Sequence, residues 1–322
     1  MLYSIISPTN IPGIYPIQDG HADHRWNWLK SSATPRLNRV ISRLKMWQSR
    51  WRASFSIEQD RVDSSTRGSR YRVVRIENSF IPVQGVGETT ERRLWERGIT
   101  RWDDFDRDAV GDTTADRIAR FIDVARDHLD RGDPRFFRDC FPSGSHWRLY
   151  ENFREDACFL DIETTGLSKH RDRVTVVGLH RDGDTRTLVR DRDLSADALR
   201  RELRTSKLLV TFNGKRFDVP FLEESLGVDV DLPHVDLMYS CRRIGLTGGL
   251  KQIEASAGID RDRPDISGED AVHLWREYER GNDGALQTLV SYNRDDAANL
   301  ETLMDLVAGR LHEEVFEPRG EG

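Results

Sequence analysis

The chain has 322 residues with a formal net charge of −6 at pH 7, and 37% of them are hydrophobic while 32% are charged. This length and hydrophobic content are sufficient for a large core and predict about two domains. No run of about 18 apolar residues occurs and the N-terminus lacks a positively charged start, so we expect neither a membrane span nor a secretory signal. The three cysteines are far apart in sequence, which argues against a disulfide framework and favours a cytoplasmic protein.

Basic residues are concentrated near the N-terminus. Residues 25–75 contain 13 Lys or Arg and 3 Asp or Glu, so this segment is basic in an otherwise acidic chain. We interpret residues 1–70 as a basic, loosely ordered arm, in which the spacing of apolar residues from Leu37 to Trp47 predicts one amphipathic helix. Such an arm is typical of polyanion binding, although a solvated basic segment without a partner has the same composition.

Residues 71–148 contain an internal repeat. The stretch "VGETTERRL" begins at Val86 and the stretch "VGDTTADRI" begins at Val110, and in each a glycine and an acid precede two threonines and an amphipathic helix. Glycine allows a tight turn, and threonine can cap the helix that follows. The repeat resembles a tandem helix-hairpin-helix module, which implies a small all-α domain whose backbone N–H groups bind DNA phosphate near Gly85 and Gly87. The alternative is a small helical bundle that serves only packing.

From about residue 155 the pattern changes to strands followed by helices. Strands are predicted at 158–163, 174–180, 185–190 and 207–212, with a short fifth candidate in "PHVDLM". Helices are predicted at 194–204, 217–226, 237–244, 249–257, 269–280 and 284–311. Three consecutive strands, followed by alternating helices and strands, predict an α/β or α+β layer with a mixed sheet.

Two carboxylates are predicted on one face of the first strand. Because strand side chains alternate, Asp161 and Glu163 in "FLDIETTGLS" point to the same side. Their charges repel each other, and buried carboxylates are costly without compensation. Asp218 begins a later helix, and Asp296 lies one helical turn after Tyr292. The repulsion is explained if the four acids converge on two metal ions, and their hard oxygen atoms favour Mg²⁺ or Mn²⁺.

Three motifs follow one another along the chain: D-x-E lies on a predicted strand, N-x-x-x-F-D follows a later strand, and Y-x-x-x-D lies on a late helix. In this order they resemble the motifs of the DEDD superfamily of 3′→5′ exonucleases. The tyrosine of the third motif is typical of the DEDDy branch. The segments "GGLKQIEASAGIDR", "DISGEDAVHLWREY" and "LVSYNRDDAANL" are similar to those of the YprB-like group of the RNase H-like superfamily. The resemblance covers roughly residues 150–310.

The resemblance implies a fold class and a domain division. The expected fold is α/β, an RNase H-like (DnaQ-like exonuclease) mixed sheet flanked by helices, preceded by the small all-α module. The exonuclease domain is placed at residues 149–314 and a tail at residues 315–322.

The resemblance also implies a role for each residue of the site. Asp161, Glu163, Asp218 and Asp296 would hold two Mg²⁺ or Mn²⁺ ions, with Asp161 bridging them and Asp218 acting through water. The hydroxyl of Tyr292 would position the attacking water, whose pKa the metal lowers. These five residues are therefore the predicted catalytic set, and the expected product is a nucleoside 5′-monophosphate.

The predicted substrate contacts lie beside the acids of the first two motifs. They are Thr164, Thr165, Gly166, Leu167, Asn213, Lys215 and Phe217. For Lys215, a solvated lysine is the alternative. Asp236 in "HVDL" is interpreted as a supporting acid or as the cap of the next helix. Asp295 is one residue off the family spacing, so we predict that it is exposed.

The function favoured by these observations is a metal-dependent 3′→5′ exonuclease that acts on nucleic acid at its 3′ end. The hairpin module favours DNA over RNA, with DNA repair as the expected setting, and no membrane partner is expected. The first alternative is the same enzyme trimming RNA 3′ ends. The second is a non-catalytic nucleic-acid-binding or scaffold protein, against which the intact catalytic set argues. A hydrolase of nucleotides or short oligonucleotides is the weakest option, because the arm and the hairpin module would be superfluous.

Overall fold

The computed structural model describes residues 73–261 and 266–316. All of these residues belong to one compact unit that begins at Arg70. The predicted basic arm with its amphipathic helix, and most of the predicted tail, lie outside the described residues. Among the described helices, none combines the length and the apolar character needed to cross a bilayer.

The N-terminal part of the described chain is helical. It contains α1 (Glu88–Glu96), α2 (Asp112–Asp130) and α3 (Pro134–Cys140). Gly87 and Gly111, the glycines of the repeat, are the N-cap residues of α1 and α2 in extended conformation. The repeat therefore marks the starts of two helices, as predicted, but its threonines lie inside the helices and no side chain caps either start.

Five strands form one mixed sheet. They are β1 (Ala157–Thr164), β2 (Val174–Arg181), β3 (Asp184–Val189), β4 (Leu208–Thr211) and β5 (His234–Asp236). The order is β3-β2-β1-β4-β5, in which β1, β2 and β3 are antiparallel neighbours while β4 is parallel to both β1 and β5. The four longer predicted strands are confirmed with bounds that differ by at most one residue, and the fifth strand is confirmed as well.

Helices flank this sheet, which confirms the predicted mixed sheet with helical layers. They are α4 (Tyr150–Phe153), α5 (Ala196–Arg204), α6 (Asp218–Leu226), α7 (Leu237–Arg243), α8 (Leu250–Ala257), α9 (Gly268–Glu279) and α10 (Asp283–Val315). Leu160 and Leu209 pack with Leu199 of α5 and Leu222 of α6. The alternate strand residues, such as Phe159, face the side of the sheet on which α10 packs.

The N-terminal helices share a hydrophobic core with the sheet. Phe80 and Leu94 belong to the same buried cluster as Phe159 of β1 and Leu303 of α10. The rings of Trp95 in α1 and Phe316 after α10 are also in edge contact, with centroids 4.8 Å apart. Packing is therefore continuous across residues 148 and 149, where the domain boundary was predicted, and the boundary itself stays a prediction.

A buried ion pair supports this junction. Glu91 of α1 and Arg148 are 1% and 0% exposed, and their carboxylate and guanidinium atoms are 2.8 Å apart. Glu91 Oε1 also accepts hydrogen bonds from the backbone N–H groups of Phe80 and Ile81. Burial raises the pKa of Glu91, although Arg148 and these N–H groups act in the opposite direction. The carboxylate thus joins α1, the segment before it and the segment before β1.

Replacing this carboxylate should destabilise the whole described unit. Glu91→Gln leaves the buried guanidinium of Arg148 without its counter-charge, so we expect a loss of about 3–5 kcal/mol in the free energy of unfolding. The matched control is Glu88→Gln in the same helix, which removes an exposed pair with Arg243 and should cost less than about 1 kcal/mol. Urea unfolding measures both, and equal losses in the two variants would contradict the prediction.

Candidate active site

The five side chains predicted to be catalytic line one cleft of about 640 Å³. They come from β1, from the start of α6 and from the middle of α10. The five are Asp161, Glu163, Asp218, Tyr292 and Asp296. One carboxylate oxygen from each of Asp161, Glu163 and Asp296 lies within 4.8 Å of the others, while Asp218 is outside this group of three. The structure therefore brings three of the four predicted acids together and has Asp218 in the same cleft, and their individual roles stay predictions.

A missing side chain on β2 lets α10 approach the acids. At Gly178, a Cβ would lie only 2.4 Å from the side-chain oxygen of Asn293. Asn293 is fully buried, and its Nδ2 donates to Asp161 Oδ2 at 2.9 Å and to the Asp161 backbone carbonyl at 3.2 Å. Asn293 thus orients the Asp161 carboxylate. Sequence reasoning did not identify it, although it is the residue after Tyr292 in the third motif.

Asp236 shapes the loop between β4 and α6. Its Oδ1 accepts from Asn213 N at 2.7 Å and its Oδ2 accepts from Lys215 N at 3.1 Å. Oδ1 also accepts from Met238 N, which caps α7. Asn213 has a positive φ of 64°, a conformation that asparagine tolerates better than most residues. Asp236 therefore caps the next helix, as one of the two alternatives predicts, and it also supports the loop beside the cleft.

The loop after β1 is held by Asp172, a residue that sequence reasoning missed. Thr164 Oγ1 donates to the carbonyl of Gly166 at 2.6 Å, and Asp172 Oδ2 accepts from Ser168 N at 2.8 Å. A Cβ at Gly166 would approach the Asp172 carboxylate to 2.7 Å, so a side chain there would displace that carboxylate. Beside this turn, Leu167 is 87% exposed at the rim of the cleft.

The predicted substrate contacts divide into two groups. Those that line the cleft are Thr164, Gly166, Leu167, Asn213 and Phe217. Thr165 and Lys215 are not among the lining residues; Thr165 donates its backbone N–H to the carbonyl of Arg173. Lys215 is half-buried, and burial lowers its pKa. The structure therefore places Lys215 beside the cleft wall, neither in the cleft nor fully solvated.

One of the two predicted hairpin glycines, Gly85, lies at a different cavity, and Gly87 is not among the residues that line it. Gly85, with a positive φ of 92°, lines a cavity of about 310 Å³ together with Gly111 of the second repeat and the side chains of Arg93 and Arg97. At Gly87 a Cβ would meet nothing within 4 Å. The two halves of the repeat thus face one cavity that carries two arginines.

Burial dominates the electrostatics of the acids. It raises the pKa of Asp161 to about 7. It also raises the pKa of Glu163 and that of Asp218 well above their usual values, and the charge of Asp161 adds to both shifts. Burial, followed by the charge of Glu163, raises the pKa of Tyr292 as well. Converging carboxylate oxygens that resist ionisation fit a hard divalent cation, whose charge favours their ionised form.

Three charged residues beside the cleft were also missed. Arg261 forms ion pairs with both Glu254 and Asp296. Its guanidinium carbon lies 5.7 Å from the ring centroid of Tyr292, and the Lys251 ammonium lies 5.0 Å from the same centroid. All three missed residues belong to "GGLKQIEASAGIDR". The signal was the spacing of Lys251 and Glu254, which puts both on one face of α8.

The prediction that Asp295 is exposed is wrong. Asp295 is half-buried, because α10 is covered by the sheet on one side and by α9 on another. It is not one of the three residues whose carboxylate oxygens converge. The spacing of the third motif therefore agrees with the position of Asp296 in the cleft.

Comparison with known protein families matches the RNase_H_2 model of the RNase_H superfamily to residues 158–308. The match spans a little under half of the chain, and it includes all five strands except the first residue of β1. Residues 158–308 have an RNase H-like fold. This confirms the predicted fold class, a mixed sheet flanked by helices. The match does not reach the N-terminal helices, and the YprB-like and DEDDy assignments stay predictions.

Several solved structures are similar to about half of this chain. Mg²⁺-bound NrnC from Brucella melitensis is 22% identical over 52% of this chain and 79% of its own, with a TM-score of 0.38. The same protein bound to pGG is 20% identical over 53% of this chain and 92% of its own, with a TM-score of 0.29. A family B DNA polymerase from the archaeon Pyrobaculum calidifontis is 19% identical over 48% of this chain and 27% of its own, with a TM-score of 0.39. At these TM-scores the similarities support no inference on substrate or mechanism. Comparison with curated proteins gives no match.

Rising pH should destabilise the metal-free protein through Asp161. Its pKa is raised to about 7 by burial, whereas an unfolded aspartate titrates near about 4. The folded state therefore holds a proton that the unfolded state has released. The contribution of this proton to the free energy of unfolding is fully present below about pH 4, and it is lost as the pH rises through about 7. Thermal unfolding in EDTA should show that the Tm gain of Asp161→Asn over the wild type is larger at about pH 8 than at about pH 5.5.

The control for this measurement is Asp116→Asn. Asp116 is exposed, and hydrogen bonding from Arg107 lowers its pKa. It is therefore ionised in both states across this pH range, and its effect on Tm should not change between the two pH values. A pH-independent Tm difference for Asp161→Asn would contradict the raised pKa of that carboxyl.

Proposed function

We propose that the protein is a metal-dependent 3′→5′ exonuclease of the DEDDy type that hydrolyses phosphodiester bonds of nucleic acid. The observation that carries the proposal is the convergence of Asp161, Glu163 and Asp296 within 4.8 Å, in one cleft with Asp218 and Tyr292. A non-catalytic protein with this fold has no need to bury so many carboxylates at a common point, because each is costly without a cation.

The acids are proposed to hold two Mg²⁺ or Mn²⁺ ions. Asp161, Glu163 and Asp296 would hold the first, and Asp218, which is close enough to Asp161 for their charges to interact, would support the second. When bound, such ions activate a water molecule and stabilise the charge that develops on the phosphate. Asn293 keeps one Asp161 oxygen in a fixed orientation through the hydrogen bond from its Nδ2.

Tyr292 is proposed to orient the attacking water. Because burial and the neighbouring acids raise its pKa, its hydroxyl keeps its proton at neutral pH. It can therefore hold a water by hydrogen bonding, but it does not serve as the base that removes the water's proton.

The terminal nucleotide is proposed to lie between the two loops at the cleft. Leu167 on one side, and Phe212 and Phe217 on the other, offer apolar surfaces beside the acids. Bases stack on such surfaces without sequence preference. Asn213, which Asp236 holds through its backbone N–H, lines the same cleft and is proposed to contact the sugar or the phosphate.

DNA is proposed as the substrate because the repeat resembles a helix-hairpin-helix module, and the cavity formed by the repeat offers a site for phosphate. Gly85, Gly111, Arg93 and Arg97 line it, and the helices that begin beside it have their N-termini at the repeat glycines. Positive side chains and helix N-termini both favour phosphate. A role in DNA repair and a cytoplasmic location stay predictions.

Activity on end-labelled oligonucleotides tests the reaction. With Mn²⁺, the full chain should shorten a 5′-labelled single strand stepwise and release nucleoside 5′-monophosphates, which mass spectrometry identifies. Asp161→Asn and Asp218→Asn should each lower the rate by at least about a hundredfold, because each removes a proposed metal ligand. Asp295→Asn is the matched control and should retain activity. Activity that is independent of the metal, or equal in Asp161→Asn, would exclude the proposed site, and matched DNA and RNA strands decide between the two substrates.

Nucleic-acid binding at the second cavity is tested through its salt dependence. Arg93→Gln, made in the Asp161→Asn protein to prevent cleavage, should reduce the slope of log affinity against log salt concentration by about 1. Arg92→Gln is the matched control, because Arg92 is the exposed neighbour that does not line the cavity. Fluorescence anisotropy with labelled oligonucleotides measures both slopes. The same slope in both variants would refute a phosphate contact at this cavity.

A further inference from the structure

Arg261 places a positive charge against one acid of the proposed metal site. It lies between α8 and α9, and its side chain is only 6% exposed. Its guanidinium forms ion pairs with Asp296, one of the three converging acids, and with Glu254. It also lies over the ring of Tyr292, with its central carbon 5.7 Å from the ring centroid. One buried cation is thus shared between a cleft acid and an acid outside the cleft.

Glu254 can accept a second hydrogen bond from the guanidinium of Arg261. The side chain of Glu254 is 0% exposed and does not line the cleft. Its Oε2 pairs with Arg261 Nη1, while its Oε1 has no hydrogen-bond partner among the described residues. A buried carboxylate oxygen without a partner is costly, and a guanidinium can pair with both oxygens of one carboxylate through two parallel N–H groups. Arg261 therefore pairs with only one carboxylate oxygen of Glu254, and the other oxygen is available for a second hydrogen bond.

A divalent ion and Arg261 compete for Asp296. Two positive charges a few Å apart repel each other strongly in a buried site, where the effective dielectric constant is low. An ion held by Asp161, Glu163 and Asp296 would therefore weaken the contact between Arg261 and Asp296. The free Oε1 of Glu254 gives the displaced N–H group a new acceptor without exposing the guanidinium to solvent.

We propose that Arg261 is a movable counter-cation of the metal site. In the metal-free protein it neutralises Asp296, and when a divalent ion binds it transfers to a two-point pair with Glu254. The proposal rests on the proposed metal site. Its consequence is that the charge of Asp296 is compensated in both states, by Arg261 without the ion and by the ion when it is bound.

Two substitutions should change metal affinity in opposite directions. Arg261→Gln removes the competing charge, so Mn²⁺ should bind about tenfold more tightly than to the wild type. Glu254→Gln removes the negative charge of the alternative acceptor. Arg261 then stays paired with Asp296, so Mn²⁺ should bind several-fold more weakly. Free Mn²⁺, measured by electron paramagnetic resonance during titration of EDTA-stripped protein, reports both affinities without any need for activity.

The matched control is Arg192→Gln. Arg192 also lies over a tyrosine ring, 5.2 Å from the centroid of Tyr278, and beside an aspartate, with Asp283 Oδ1 at 3.6 Å. Neither Tyr278 nor Asp283 lines the cleft, so Mn²⁺ affinity should stay unchanged. This control distinguishes the general effect of removing an arginine that stacks on a tyrosine from the specific effect of removing Arg261 beside the acids.

A second measurement concerns the metal-free protein. Arg261→Gln leaves the acids without their internal cation, so its Tm in EDTA should fall below that of the wild type, and saturating Mn²⁺ should restore more of the Tm than it adds to the wild type. Equal or weaker Mn²⁺ binding by Arg261→Gln would overturn the proposal, since it would mean that Arg261 holds Asp296 in place for the metal. If Arg261→Gln does not fold, Glu254→Gln decides, because unchanged or tighter binding there overturns the proposal as well.

Failure of the metal site itself has a different signature. If the wild type binds no Mn²⁺, or if Asp161→Asn binds as much as the wild type, the proposed metal site is wrong. If the wild type binds Mn²⁺ through Asp161 and Arg261→Gln binds it no more tightly, the metal site stands and only the movable counter-cation is wrong.

Discussion

The structure depends on the burial of like charges at one point. Asp161, Glu163 and Asp296 bring carboxylate oxygens within 4.8 Å of one another, in a setting where burial raises the pKa of the first two. Such a group is unfavourable without positive charge. The surrounding residues that hold it together therefore matter as much as the acids, and Arg261 is the positive charge that the described part of the chain places in contact with Asp296.

The scaffold fixes the acids through close approach and hydrogen bonding. Gly178 on β2 leaves space for Asn293, which donates to Asp161, and so α10 lies near enough to the sheet for Asp296 to face β1. Asp236 holds the loop that leads to Asp218 through two backbone N–H groups. None of these supporting residues needs to touch a substrate, yet each decides where a cleft residue lies.

Much of this could be predicted from the sequence. The five strands are confirmed because alternation and β-branched runs are local signals, and the helices carry clear 3.6-residue periodicity. The five proposed catalytic residues stand in three short motifs that resemble those of the DEDD superfamily, and this resemblance implied that they share one site. Lys215 lies beside the cleft wall and Asp295 is half-buried, because neighbouring elements, which local spacing does not reveal, set the exposure of both.

The sequence by itself determined the mixed sheet flanked by helices and the set of acids, since both follow from residue types at short spacing. Only the tertiary structure decided that residues 73–148 share a core with the sheet and that Arg261 pairs with Asp296 and Glu254. The physical reason is the same in both cases. Burial and charge pairing depend on which distant segments pack together. A single sequence gives the residues that take part, but it does not show which of them are in contact.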